Sequence, residues 1–335
     1  MTERHPQSFL ITIAAVLLVF LAGCKPLPPR GLVYIVDDGL STKAFYRPVV
    51  DPEGYVLGAA VELPFAHPVD LPAFTPEGDE LWAWSVSPEG APGLFSLEFA
   101  AEGPADDAEP SLRVDLTPYP APGASAIQPG SGGRRVFFDA LDPASDSWQL
   151  FVYEDGEVTQ LTDGAPSREI PVLTADGARL AFSTNDDGSG GRGDDYDLWY
   201  YDLADGDLHP LLETPGEQGS PHLAADGRLL FNSRAVTSGD EPFYNLRITT
   251  EPLAEFFAKS LAEGELLETE KLLDFPGLAI FPRPAADGAL LFCGYADESW
   301  SAYLVAPGQS EARRLLPPDG PDVIYACWRP TPPEE

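Results

Sequence analysis

Short apolar runs separated by turn residues recur along almost the whole chain. Four segments share the frame Pro-x-x-x-x-Asp/Glu-Gly: Pro72–Gly78, Pro171–Gly177, Pro221–Gly227 and Pro282–Gly288. A degenerate fifth copy runs from Ala126 to Gly132. Each copy is followed by a short apolar stretch: Leu81–Ser85, Arg135–Asp139, Arg179–Ser183, Arg228–Asn232 and Ala289–Cys293. Asp-Gly between two such runs predicts a hairpin, because glycine supplies the positive φ that the turn requires. An aromatic-rich third strand comes next, as in Trp148–Tyr153, Asp197–Tyr201 and Ala302–Val305. Val158–Thr162 and Ala312–Leu316 illustrate a fourth. The spacing of the turn glycines, roughly 45 to 60 residues, fits a four-stranded unit that buries both faces only by stacking on its neighbours.

Counting units gives six. Five fall at 70–120, 124–162, 170–213, 220–273 and 280–316. The segment 31–63 holds three strands, Leu32–Val36, Phe45–Val50 and Tyr55–Leu63, and lacks a first one. Asp322–Pro330 supplies it. The expected fold is therefore all-β: a six-bladed β-propeller of four-stranded antiparallel blades, closed by the C-terminal strand, which removes exposed sheet edges. One departure interrupts the repeat. Pro252 suits a helix start, and Leu253, Phe256, Phe257 and Leu261 share one helical face. This predicts a short helical insertion within Thr250–Leu273, packed on the propeller or free to dock a partner.

The N-terminus has a different pattern. Met1–Ser8 is polar, and Phe9–Leu21 is apolar apart from Thr12. That run is shorter than the ~20 residues of a comfortable membrane span and has the layout of an export signal. It ends in Leu21-Ala22-Gly23-Cys24, which resembles the lipobox of bacterial lipoproteins. The resemblance implies cleavage before Cys24 and a diacylglycerol on its thiol. The expected organisation is signal peptide 1–23, lipidated tether 24–30, propeller 31–330 and tail 331–335. Lys25, in place of an aspartate, points to the outer membrane, facing the periplasm or the cell surface.

The blades also resemble a family. Thr174-Ala-Asp-Gly177, Leu180-Ala-Phe-Ser183 and Asp197-Leu-Trp-Tyr200 follow one another as in the WD40-like repeat of TolB-type propellers. The family's turn proline survives only at Pro76. The resemblance spans about residues 31–330 and implies action through protein contacts in the cell envelope.

Charge narrows the partners. The chain has 54 acidic and 20 basic residues, a net charge of −34. Nucleic-acid binding needs clustered Lys and Arg and is excluded on this ground; so is docking on anionic lipid through a basic patch. Beyond Cys24 the cysteines are Cys293 and Cys327, expected on neighbouring blades either as a disulfide or as two buried thiols. His67, His209 and His222 show no metal-ligand spacing.

Candidate binding residues come from the leading ends of the innermost strands, which line one mouth of the channel: His67, Asp70, Arg168, Glu169, Gln218, Ser220, His222 and Arg283. Asp186, Asp187, Asp194, Asp195 and Asp197 form an acidic, glycine-rich loop that could hold Ca²⁺, without the EF-hand pattern. No other cofactor is expected. There is no Gly-x-Ser-x-Gly elbow, and the histidines are scattered, so no catalytic residues are assigned. The expectation is a monomeric, lipid-anchored envelope protein, a non-catalytic scaffold for other envelope proteins. A ligand-sensing propeller binding glycan or peptide is the alternative, ahead of a hydrolase or lyase at the channel mouth.

Overall fold

The computed structural model describes residues 29–331, apart from 67, 106, 120–126, 187, 189–190, 213–215, 235–243 and 260–265. Cys24, His67, Asp187 and Leu261 therefore lie outside the described residues. Six antiparallel sheets follow one another around a central axis. Blade 1 joins both ends of the chain: Asp322–Arg329 is innermost, then Gly31–Asp37, Thr42–Asp51 and a broken outer position, Val56–Leu57 and Val61–Glu62. Blade 2 starts at Asp70–Phe74 and blade 3 at Ile127–Pro129. Blades 4, 5 and 6 start at Arg168–Leu173, Gln218–Leu223 and Leu278–Pro284. These first strands are innermost and pack against one another around the ring, as the repeat predicts.

The recurring Gly closes each first hairpin. Gly78, Gly177, Gly227 and Gly288 have φ between 69° and 88°. Each donates its N–H to the carbonyl three residues earlier: Thr75, Thr174, Ala224 and Ala285. In blades 2 and 4 a threonine hydroxyl adds to the turn. Thr75 Oγ1 donates to Asp79 and Thr174 Oγ1 to Asp176, at 2.7 and 2.6 Å. In blades 5 and 6 alanine stands there, and the backbone turn alone suffices.

Closure happens at the predicted seam. Asp322–Arg329 pairs with Gly31–Asp37 from Gly31↔Arg329 to Asp37↔Asp322, with one bulge at Ile35/Val36. Strand alternation sends side chains to opposite neighbours. Ala326 and Trp328 pack with Leu291, Cys293 and Leu304 of blade 6. Tyr325 and Cys327 pack with Leu71, Leu81 and Phe95 of blade 2. This parity decides the cysteines. Cys327 points to blade 2 and Cys293 lies in the cluster on the other side of the sheet, so both are buried free thiols and do not form the disulfide. Burial pushes each thiol up to about 12.

The described part of the insertion forms a short helix, Leu253–Ala258, with Pro252 just before it as the N-cap. Leu253 and Phe256 are buried against Leu211, Phe231 and Leu267, where blade 4 meets blade 5. Phe257 meets Tyr200 edge-on at 4.9 Å and lies under the Arg179 guanidinium. The described part of its apolar face packs on the propeller, the first of the two expectations for this stripe. No helix among the described residues is long and apolar enough to cross a membrane.

Candidate functional site in the central channel

The innermost strands carry a feature that the sequence frame concealed. Leu71, Ile170, Ser220 and Phe281 each stand before a proline and each have φ between 50° and 59°. The ladder jumps at the same places: between Asp70 and Ala73, Glu169 and Val172, Gly219 and His222, Ile280 and Arg283. Each is a β-bulge, where one strand carries residues that the partner does not match. Proline fits because its missing N–H would have no ladder acceptor there. Residues before proline favour extended backbone, and a β-branched residue at positive φ is an outlier. The strain at Ile170 is offset by the ring around it: its N–H donates to the buried Asp139 of the preceding blade at 3.3 Å.

Beyond the bulges lies a cavity of about 210 Å³, lined by the inner strands of all six blades. Pro72, Phe74, Ile127, Pro171, Pro221 and Trp328 make much of its wall. Arg283 is the one charged side chain among its described lining residues, and no carboxylate lines it. Arg283 Nη1 donates to His222 Nδ1 at 2.8 Å, and Nη2 donates to the Tyr325 hydroxyl. The guanidinium also lies 5.0 Å from the centre of the Tyr325 ring, which packs on Phe281. Burial, and then the Arg283 charge, hold His222 well below its usual range, so the ring is neutral. Burial pushes the Tyr325 hydroxyl up to about 12.

Of the eight residues expected at the mouth, the structure brings together His222 and Arg283. The remaining described ones do not line the cavity. Arg168 is part of the scaffold: it bonds Asp186 at 2.9 Å, the Asp163 carbonyl at 2.7 Å and Gln149 at 3.2 Å. Glu169 accepts from Tyr196 at 2.7 Å; burial raises its carboxyl against that bond. Asp70 accepts from the Leu71 N–H, and its carboxyl is also raised by burial. Gln218 is buried and donates to the Gly216 carbonyl, and Ser220 is a bulge residue. Tyr325 was missed. In the sequence it is one residue of the closing strand, and its position two residues before Cys327 places it on the same face.

Of the acidic loop, Asp187 and the Asp194 side chain lie outside what the structure describes. Asp186 is committed to Arg168, and Asp195 is exposed. Asp197 pairs with Thr184 across the sheet. Among the described residues no group of three or more His, Cys, Asp or Glu side chains gathers to hold a metal ion.

Neither a protein-family model nor a curated protein matches the chain in sequence. Solved structures match its shape. TolB from Acinetobacter baumannii aligns with a TM-score of 0.64 at 13% identity, over 96% of this chain and 71% of that one. A structure assigned to TolB from Agrobacterium tumefaciens aligns at 0.53 and 13% identity, over 87% and 89%. A puromycin-hydrolyzing peptidase from Mycobacterium tuberculosis aligns at 0.51 and 14% identity, over 87% of this chain and 47% of that chain. At these identities the likeness is one of fold. Six blades, the closing strand and these alignments together give the chain the fold of TolB-like six-bladed β-propellers.

Proposed function

We propose that this chain is a cell-envelope protein, anchored by lipid on Cys24, whose propeller is a non-catalytic platform for binding other envelope proteins. The observation that carries this reading is how the innermost strands hold their titratable side chains. Arg168 is locked to Asp186, Glu169 to Tyr196 and His222 to Arg283. A general base needs a free lone pair and an affinity for protons near the working pH. His222 spends Nδ1 on a guanidinium, and burial beside that cation weakens it further as a base. Groups held in this way suit a surface that offers shape and charge to a partner. The similarity to TolB structures supports the reading, and the peptidase alignment is the ground for testing catalysis alongside it.

The test is site-specific photo-crosslinking in the native envelope. A photoreactive residue at Pro76, on the channel wall, is compared with one at the exposed outer-strand position Val158. A discrete envelope-protein adduct from position 76 and none from 158 supports the platform. Equal adducts from both positions, or turnover of peptide or glycan substrates by the purified chain, overturns it.

A further inference from the structure

We propose that the central channel carries a carboxylate-binding site built by Arg283, His222 and Tyr325. This goes beyond the platform reading and does not depend on it. Its starting point is an imbalance. Acidic side chains outnumber basic ones 54 to 20 in this chain, yet the one charged group on the described cavity wall is a cation. The other described arginines that lie deep in the fold are matched. Arg168 has Asp186, and Arg329 gives its donors to three backbone carbonyls. Arg283 has two neutral partners and no carboxylate among the described residues.

Counting hydrogens sharpens this. A guanidinium carries five N–H groups in a fixed fork. Two are used, by His222 and Tyr325, three have no partner among the described residues, and Arg283 lines the cavity. Because His222 accepts through Nδ1, its proton sits on Nε2, which has no acceptor among the described residues. Tyr325 accepts from Arg283, which leaves its O–H free to donate. Three side chains from three inner strands thus present donors and a positive charge, with no competing carboxylate. Planar, paired acceptors with one negative charge satisfy such a set best, and a carboxylate has that form. The surrounding wall of proline, phenylalanine and tryptophan suits a compact apolar body attached to it. Two sources share this chemistry: a small carboxylic acid and the C-terminal carboxylate of a peptide chain.

Calorimetric titration of the purified full chain distinguishes them. The probes are sodium propionate, N-acetyl-Ala-Ala-Ala with a free carboxylate, and the same peptide as its amide. The His222 ring signals, assigned by their loss in His222→Gln, locate the site. At least one carboxylate should saturate and shift those signals, and the amide should not. Arg283→Leu should weaken that binding at least about tenfold, the scale of a lost charge-assisted pair. Tyr325→Phe keeps the ring beneath the guanidinium and should weaken it a few-fold, so a folding failure of the leucine variant does not decide the matter. Saturation by propionate identifies a small acid, and saturation by the peptide acid alone identifies a chain terminus. Failure of both carboxylates to saturate overturns the proposal. So do equal binding of acid and amide, and unchanged binding in both variants.

Discussion

The seam and the channel of this propeller each contain an arginine in the interior, and the two are used in opposite ways. At the seam, Arg329 is 2% exposed. It donates to the carbonyls of Gly78, Ala100 and Ala101 and lies over the Phe99 ring, so the last strand of blade 1 is fastened to blade 2. On the other side of that blade, the Tyr55 hydroxyl donates to Asp287 and Arg313 donates to the Gly54 carbonyl. Every one of these contacts is between blades. In the channel, Arg283 bonds two neutral side chains and keeps donors for the cavity. A buried cation whose donors are spent on backbone carbonyls belongs to the fold. One whose donors remain available, with no carboxylate beside it, is placed for a ligand.

The largest expected effect comes from opening the seam altogether. Deleting residues 321–335 removes the innermost strand of blade 1 and exposes the edge of Gly31–Asp37. Thermal unfolding should show a drop of well over 10 °C or no cooperative transition, on the scale of several kcal/mol for a chain of this size. An unchanged melting temperature would show that the ring does not depend on closure.

A matched pair of turn glycines makes the comparison sharper. Gly78 and Gly177 occupy the same repeat position with the same φ of 69°. A Cβ on Gly78 would sit 2.5 Å from the Pro330 carbonyl oxygen, whereas one on Gly177 would meet nothing within 4 Å. Gly177→Ala should cost about 1 kcal/mol, from φ alone. Gly78→Ala should cost about 3 kcal/mol or more, because the clash falls on the seam backbone. Denaturant melts measure both, and equal losses would mean that the seam is not tight at Pro330.

A smaller effect should come from the inner-strand carboxylates. Burial raises the Glu169 and Asp70 carboxyls in the folded chain. The folded state therefore holds protons that the unfolded state has already released. Stability contributed by these groups falls as pH rises from the unfolded carboxylate range through the raised folded values. Glu169→Gln, which can still accept from Tyr196, should flatten that decline and raise the melting temperature slightly at pH 7. A steeper decline, or a loss at pH 7, would contradict the sign.

Most of the architecture was legible in the sequence because it is periodic. The Pro-x-x-x-x-Asp/Glu-Gly frame marks the first hairpin of four blades, and the missing first strand of 31–63 points to Asp322–Pro330. The site was less legible, for two physical reasons. The prolines of the frame were read as spacing, whereas each marks a bulge that shifts register between strand start and cavity. Residues at the strand starts, such as Arg168 and Gln218, therefore stand away from this cavity and bond to Asp186 and the Gly216 carbonyl. The second reason is parity. Cys293 and Cys327 are neighbours, but Cys293 faces the Ala326 side of the closing strand and Cys327 the other, so they stay two buried thiols. The same rule applied to Tyr325 would have put it beside Arg283.

One thermal-shift experiment tests the contrast between the two arginines most directly. Wild type, Arg329→Leu and Arg283→Leu are melted with and without the saturating carboxylate probe. Arg329→Leu takes the donor from three carbonyls, of which that of Gly78 is buried and should cost about 1–3 kcal/mol. It should melt several degrees lower while keeping the ligand-induced rise. Arg283→Leu should melt close to wild type and lose that rise. A ligand-induced rise that survives Arg283→Leu, or one that is lost in Arg329→Leu, would contradict the account.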